Sequence, residues 1–215
     1  MNLLTFFVVL AGWIFSLCLH EFSHALVAYL GGDWTVREKG YLTFNPLKYT
    51  HPLYSLLLPL LFLVMGGIGL PGGAVYIETW RLRSKYWLSA MSLAGPTANL
   101  LVAIVLAVIL NTTSVGSTAI GPGLAFLAYL QIMAVVLNLL PVPPFDGYAV
   151  IEPFLPSGIR MQVAQVRGGF IWIVFLVLWF VPFAGQALGS LLFSLTGILN
   201  IPPELIGLGY AQFKF

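Results

Sequence analysis

The sequence predicts an all-α polytopic membrane protein, and three observations carry that prediction. First, 60% of the 215 residues are hydrophobic and only 7% are charged, with a mean hydropathy of +0.97. A soluble domain is about one quarter charged, so too little polar surface exists here to cover a water-facing globule. Second, the apolar residues fall in runs long enough to cross a bilayer. Third, Gly, Pro and basic residues separate those runs in the way that loops between membrane helices do.

The elements follow in order. Residues 3–30 span with tilt and stop at Gly31-Gly32-Asp33. Residues 34–44 change character: two β-prone pieces flank Glu38-Lys39-Gly40, which predicts a small membrane-associated β-hairpin closed by Asn45-Pro46. Residues 52–70 are apolar but broken by Pro59, Gly66, Gly67 and Gly69. Residues 88–110 form a clean span with Gly95-Pro96 near its start, and 111–117 are an uncharged loop. Residues 124–140 span again and run into Pro141, Pro143, Pro144, Asp146 and Gly147. Residues 170–181 open a further span, and 186–199 form another span, a hairpin partner or a surface helix. The expectation is about five to six membrane segments.

Basic residues set the topology. Arg37, Lys39 and Lys48 precede the broken segment, Arg81, Arg83 and Lys85 follow it, and Arg160 and Arg167 come later. If residues 52–70 dip in and return, all of these lie on one face; if they cross, both faces are basic. The positive-inside rule favours the re-entrant arrangement, which requires that segment to be buried in protein or reached by water. The N-terminus lacks the basic start of a signal peptide, so the first span reads as retained. No basic run is dense enough to track phosphates, which excludes nucleic acid as a partner. The single cysteine, Cys18, excludes an intramolecular disulfide framework and a cysteine-based metal site. No repeat or linker interrupts the chain, so residues 1–215 read as one domain, with a core over about 1–150 and C-terminal membrane helices over about 168–200.

The chemistry is concentrated in His20-Glu21-Phe22-Ser23-His24. On a helix, positions i and i+4 share a face, so His20 and His24 can grip one metal ion while Glu21 sits beside them as a proton acceptor. Ionisable side chains within a span are costly and mark function. The structural alternative is hydrogen bonding between helices. Two histidines leave a hydrolytic zinc one protein ligand short. Asp146, after a long apolar span and beside Gly147, is a good zinc donor; an ordinary Asp-Gly turn is the competing reading.

Three motifs resemble the signatures of the site-2 protease family of intramembrane zinc metalloproteases: His20-Glu21-Phe22-Ser23-His24, the Ala-Gly-Pro-Thr-Ala-Asn run at 94–99, and the Asn-Leu-Leu-Pro-Val-Pro-Pro-Phe-Asp-Gly run at 138–147. Asn45-Pro46-Leu47-Lys48-Tyr49-Thr50-His51-Pro52 also resembles a segment of its shorter bacterial-type members. The resemblance implies one zinc ion held by His20, His24 and Asp146, with Glu21 as general acid/base. It implies that Asn138, and with it Asn99, contacts the substrate backbone or the oxyanion; a helix–helix hydrogen bond is the alternative for each. His51 is either a partner of the site residues or a plain interfacial histidine. The chain has the length of a minimal member without an inserted PDZ or appended CBS domain.

The implied activity is zinc-dependent endopeptidase cleavage of transmembrane protein substrates within the lipid bilayer, as in regulated intramembrane proteolysis. The implied location is the plasma membrane of a prokaryote, with the active site toward the cytoplasm. A strand edge from the 34–44 hairpin could receive an unwound substrate. The alternatives are a membrane zinc protease of the type that trims prenylated proteins, and a non-enzymatic metal-binding or scaffold protein with a vestigial site.

Overall fold

The computed structural model describes residues 1–49 and 75–214. Residues 52–70 and His51, for which the sequence leaves a re-entrant path and a role at the site open, lie outside the described residues. Among the described residues every regular element is helical. In chain order they are α1 (Leu3–Gly31), the short α2 (Thr35–Glu38), α3 (Lys85–Thr112), α4 (Gly121–Asn138), the short α5 (Asp146–Ile151), α6 (Ser157–Phe180), α7 (Pro182–Ile198) and α8 (Pro203–Phe213).

Among the described residues three helices, α1, α3 and α4, are long and apolar enough to cross a membrane. A fourth candidate, α6, is bent by 72° between Ser157–Val166 and Gly168–Phe180. The spans predicted over 88–110 and 124–140 therefore stand. The chain is a membrane protein, and its described residues are built around these three helices.

That core is inside out by the standards of a soluble protein. On α1 the buried face carries Ser16, His20, Glu21, His24, Ala25, Ala28 and Gly31, while Leu3, Leu4, Phe7, Phe15, Leu26 and Leu30 point outward. On α3 the buried positions are small or polar: Ser92, Gly95, Ala98, Asn99, Ala103 and Ala107. Lipid is as apolar as leucine, so large side chains lose nothing by facing it, and small ones let backbones approach closely. Helix α4 lies at the centre, with Phe126, Leu127, Leu130, Ile132, Met133 and Leu137 all buried. Helix α8 closes one end. Phe213 is fully buried against Phe6 and Phe126, and the Gln212 carbonyl accepts from Asn2 N at 2.7 Å.

The hairpin expected over 34–44 is not formed. Thr35–Glu38 is one helical turn, and no strand occurs among the described residues. The Asp33 carboxylate starts this turn, accepting from Thr35 N at 3.1 Å and Thr35 Oγ1 at 2.6 Å. Gly40, at φ 75°, ends it as Tyr41 N donates to Val36 O at 2.9 Å and Gly40 N to Arg37 O at 3.1 Å. A glycine in the left-handed region serves a hairpin turn and a helix terminus equally well. Glu38-Lys39-Gly40 is therefore ambiguous as a sequence, and Asp33, fully buried at the end of α1, decides between the two. The Tyr49 hydroxyl then ties the following loop to α1 by reaching the Cys18 carbonyl at 3.1 Å.

Asp33 also accepts from Glu78 N at 2.7 Å, joining the end of α1 to the segment ahead of α3. Asp33→Ala orphans these buried donors, each costing about 1–3 kcal/mol. The expected result is a destabilisation of about 3 kcal/mol or more, seen as a lower melting temperature in detergent. An unchanged melting temperature would show that the junction carries no stability.

Candidate metal centre

The spacing His20-x-x-x-His24 on a continuous helix stacks the two imidazoles on the buried face of α1, with ring centroids 4.6 Å apart. Their Nε2 atoms approach to 3.0 Å. Each ring is held from behind: His24 Nδ1 faces the Met91 carbonyl at 2.7 Å, and His20 Nδ1 faces Asn99 Oδ1 at 2.5 Å. Both partners lie on α3. With Nδ1 donating to an oxygen, each Nε2 keeps its lone pair for a metal.

Asp146 arrives from the far side. It is the first residue of α5, after a proline-rich turn that leaves the end of α4. A Cβ at Gly147 would run into the Leu139 and Leu140 carbonyls, so a larger residue could not let this turn close so tightly. The Asp146 Oδ2 atom lies 3.3 Å from His20 Nε2 and 3.4 Å from His24 Nε2. Zinc–ligand bonds of 2.0–2.1 Å at tetrahedral angles place donor atoms about 3.3 Å apart. The three edges of 3.0, 3.3 and 3.4 Å fit that triangle. Two neutral imidazoles and a carboxylate are a donor set that a catalytic zinc accepts, with a fourth position left open. Among the described residues, these three are the cluster able to hold a metal ion.

The donors open onto a cavity of about 710 Å³. Glu21, Asn99, Gln131, Asn138 and the chain at 75–77 also line it. Glu21 is buried, and one oxygen, Oε2, accepts from Val75 N at 3.0 Å. The side chain also lines the cavity into which the three donors open. Asn138, at the end of α4, lines the cavity with no described residue engaging its amide. Asn99 differs. Its oxygen faces His20 and its nitrogen donates to Gln131 Oε1 at 2.7 Å, so its amide is committed to protein groups on both sides.

An ion cluster at the helix ends fixes the segment that touches Glu21. Glu78 bonds Lys39 Nζ at 2.9 Å and Arg81 Nε at 2.6 Å. The Arg81 guanidinium lies over the Trp34 and Trp80 rings, 4.8 and 4.2 Å from their centroids. Hydrogen bonds from Arg81 and then Lys39 hold the Glu78 carboxyl below its ordinary range. Arg83 N donates to the Gly31 carbonyl at 2.9 Å, pinning the same return path onto α1.

The sequence missed Gln131, Val75 and the Met91 carbonyl. Gln131 carried a usable signal, being an amide in the middle of an apolar span. The other two act through backbone atoms, which no residue type reports.

No protein-family model matches the chain, and no solved structure matches it significantly. Curated relatives do. "Putative zinc metalloprotease Rip2" of Mycobacterium tuberculosis is 45% identical over 98% of this chain and 81% of its own length. Its namesake in Mycolicibacterium smegmatis is 46% identical over 84% of this chain and 75% of its own. "Putative zinc metalloprotease YwhC" of Bacillus subtilis is 32% identical over 83% of each. Likeness of this degree over most of both lengths, together with a His-His-Asp triangle in a membrane helix core, has one reading: the chain belongs to the site-2 protease family.

Proposed function

We propose that this protein is an intramembrane zinc metalloendopeptidase that hydrolyses peptide bonds in or near the transmembrane segments of membrane-protein substrates, as in regulated intramembrane proteolysis. The observation that carries the reading is the donor triangle with Glu21 in the same cavity, set among apolar helices. His20 Nε2, His24 Nε2 and Asp146 Oδ2 would hold one zinc ion, which when bound supplies a Lewis acid for the scissile carbonyl and lowers the pKa of a water. Glu21 takes the proton from the attacking water and returns it to the leaving amine. Val75 N holds one oxygen of Glu21 and so aims the other. The amide of Asn138, which lines the same cavity, donates to the carbonyl oxygen as it gains charge.

A helical peptide bond is shielded by its own hydrogen bonds, so the substrate must unwind and find new partners. With no hairpin over 34–44, the segment at 75–78 takes that role. It is non-helical, it lines the cavity, and no described strand pairs with it. An extended substrate laid along it would form a two-stranded ribbon. The basic residues Arg37, Lys39, Arg81, Arg83 and Lys85 lie near the end of α1 and the start of α3, which supports a site opening toward the cytoplasmic face of a prokaryotic plasma membrane.

The test uses purified protein in liposomes with a transmembrane peptide substrate. Wild type is expected to cleave. Glu21→Gln is expected to retain one zinc per chain and lose about 10²–10⁴-fold in rate. Equal cleavage by the two proteins would overturn the role of Glu21. A zinc-loaded wild type that cleaves no membrane substrate would favour a non-enzymatic metal-binding protein.

A further inference from the structure

We propose that Gln131 on α4 is a positioning residue of the metal centre, acting through Asn99 to hold His20 in the tautomer and orientation that bind zinc. This rests on the assignment of His20 as a zinc ligand. Three buried side chains from three helices form a line: His20 Nδ1 to Asn99 Oδ1 at 2.5 Å, then Asn99 Nδ2 to Gln131 Oε1 at 2.7 Å. Gln131 is 1% exposed, the least of the three.

The orientation of the two amides gives this line a direction. An asparagine amide facing an imidazole can present its oxygen or its NH₂ group. If the oxygen faces Nδ1, it selects the Nδ1–H tautomer, and Nε2 carries the lone pair a metal needs. If the NH₂ faces Nδ1, the proton moves to Nε2 and blocks the ligand position. Asn99 alone does not distinguish the two. Gln131 turns its Oε1, which only accepts, toward the NH₂ of Asn99; held in that orientation, it claims the NH₂ and leaves the Asn99 oxygen for His20. Without it, a buried N–H of Asn99 loses its partner, and the amide is free to turn. Gln131 also lines the cavity, where water can satisfy its own NH₂ group.

Changes to the hydrogen-bond partners of zinc-bound histidines weaken metal binding about 10–100-fold. Gln131→Met, which keeps the shape and removes the acceptor, is expected to weaken zinc binding by about that factor. Gln131→Glu, which keeps an acceptor facing Asn99, is expected to stay within about threefold of wild type, well short of the loss set by partner removal. Zinc affinity is read by competition with a chromogenic chelator on purified protein in detergent. The visible spectrum of the cobalt-substituted protein reports the tetrahedral field independently of activity. In an Asn99→Ala background, Gln131→Met should have no further effect on affinity, because its route to His20 is already cut. A purely structural role would lower the melting temperature and leave affinity and cobalt spectrum unchanged. Wild-type affinity in Gln131→Met, equal losses in the Met and Glu variants, or full additivity with Asn99→Ala would each overturn the proposal. A wild type that binds no zinc would overturn the reading of the site itself, and this proposal with it.

Discussion

Asp146→Ala is expected to weaken zinc binding by more than about 100-fold and to abolish hydrolysis, while leaving the helical fold in place. The lower bound follows from comparison. Altering a group that merely hydrogen-bonds a metal ligand costs about 10–100-fold in affinity, so deleting the ligand itself exceeds that range. Two imidazoles would remain where a hydrolytic zinc takes three protein donors.

The fold should survive because Asp146 does little for it. Its described side-chain partners are the two imidazoles. Zinc content by elemental analysis, helicity by circular dichroism and cleavage of a transmembrane peptide are the three measurements. A variant that keeps one zinc per chain at wild-type affinity would remove Asp146 from the ligand set. That outcome would favour the rival membrane protease whose third ligand lies elsewhere.

The sequence showed most of this site, but for unequal reasons. His20, Glu21 and His24 are legible because one helical period puts them together, and ionisable groups inside an apolar run are too costly to persist without a use. Asp146 lies 122 positions after His24, and no local rule brings the two together. Only the resemblance of the 138–147 run singled it out from an ordinary Asp-Gly turn. The spans were legible from apolar runs, which is why 88–110 and 124–140 fall within a few residues of α3 and α4.

The short segments that follow α1 and lead into α3 are less legible. There the outcome depends on Asp33, whose carboxylate serves two backbone segments and reaches Glu78, 45 residues away. A side chain recruited over that distance overrides local β propensity. The same physics hid the supports of the two histidines. The Met91 carbonyl and the Asn99–Gln131 pair act only once α1, α3 and α4 have packed.

The packing of α1 on α3 also yields a prediction in which stability and function move apart. Gly95 sits on the face of α3 turned toward the two histidines. A Cβ built there would fall against the Nε2 atoms of both His20 and His24, and within 2.7 Å of His20 Cε1. Those Nε2 atoms are the ones a cation needs. The rings cannot swing away freely, because Asn99 Oδ1 and the Met91 carbonyl hold them from behind. Gly95→Ala therefore forces either the loss of those hydrogen bonds or the filling of the space beside the donors. Both outcomes spoil the triangle with Asp146. An interior helical glycine replaced by alanine otherwise gains about 1 kcal/mol in helix propensity. The expected result is a protein that is folded and no more than about 2 kcal/mol less stable than wild type, the propensity gain offsetting part of an overpacking cost of about 1–3 kcal/mol, yet one that binds zinc more than about 100-fold more weakly, beyond what loss of a ligand's support costs. Wild-type zinc affinity and cleavage in Gly95→Ala would show that the rings have room the geometry does not give them. A variant that failed to fold would place Gly95 in helix packing rather than in shaping the metal centre.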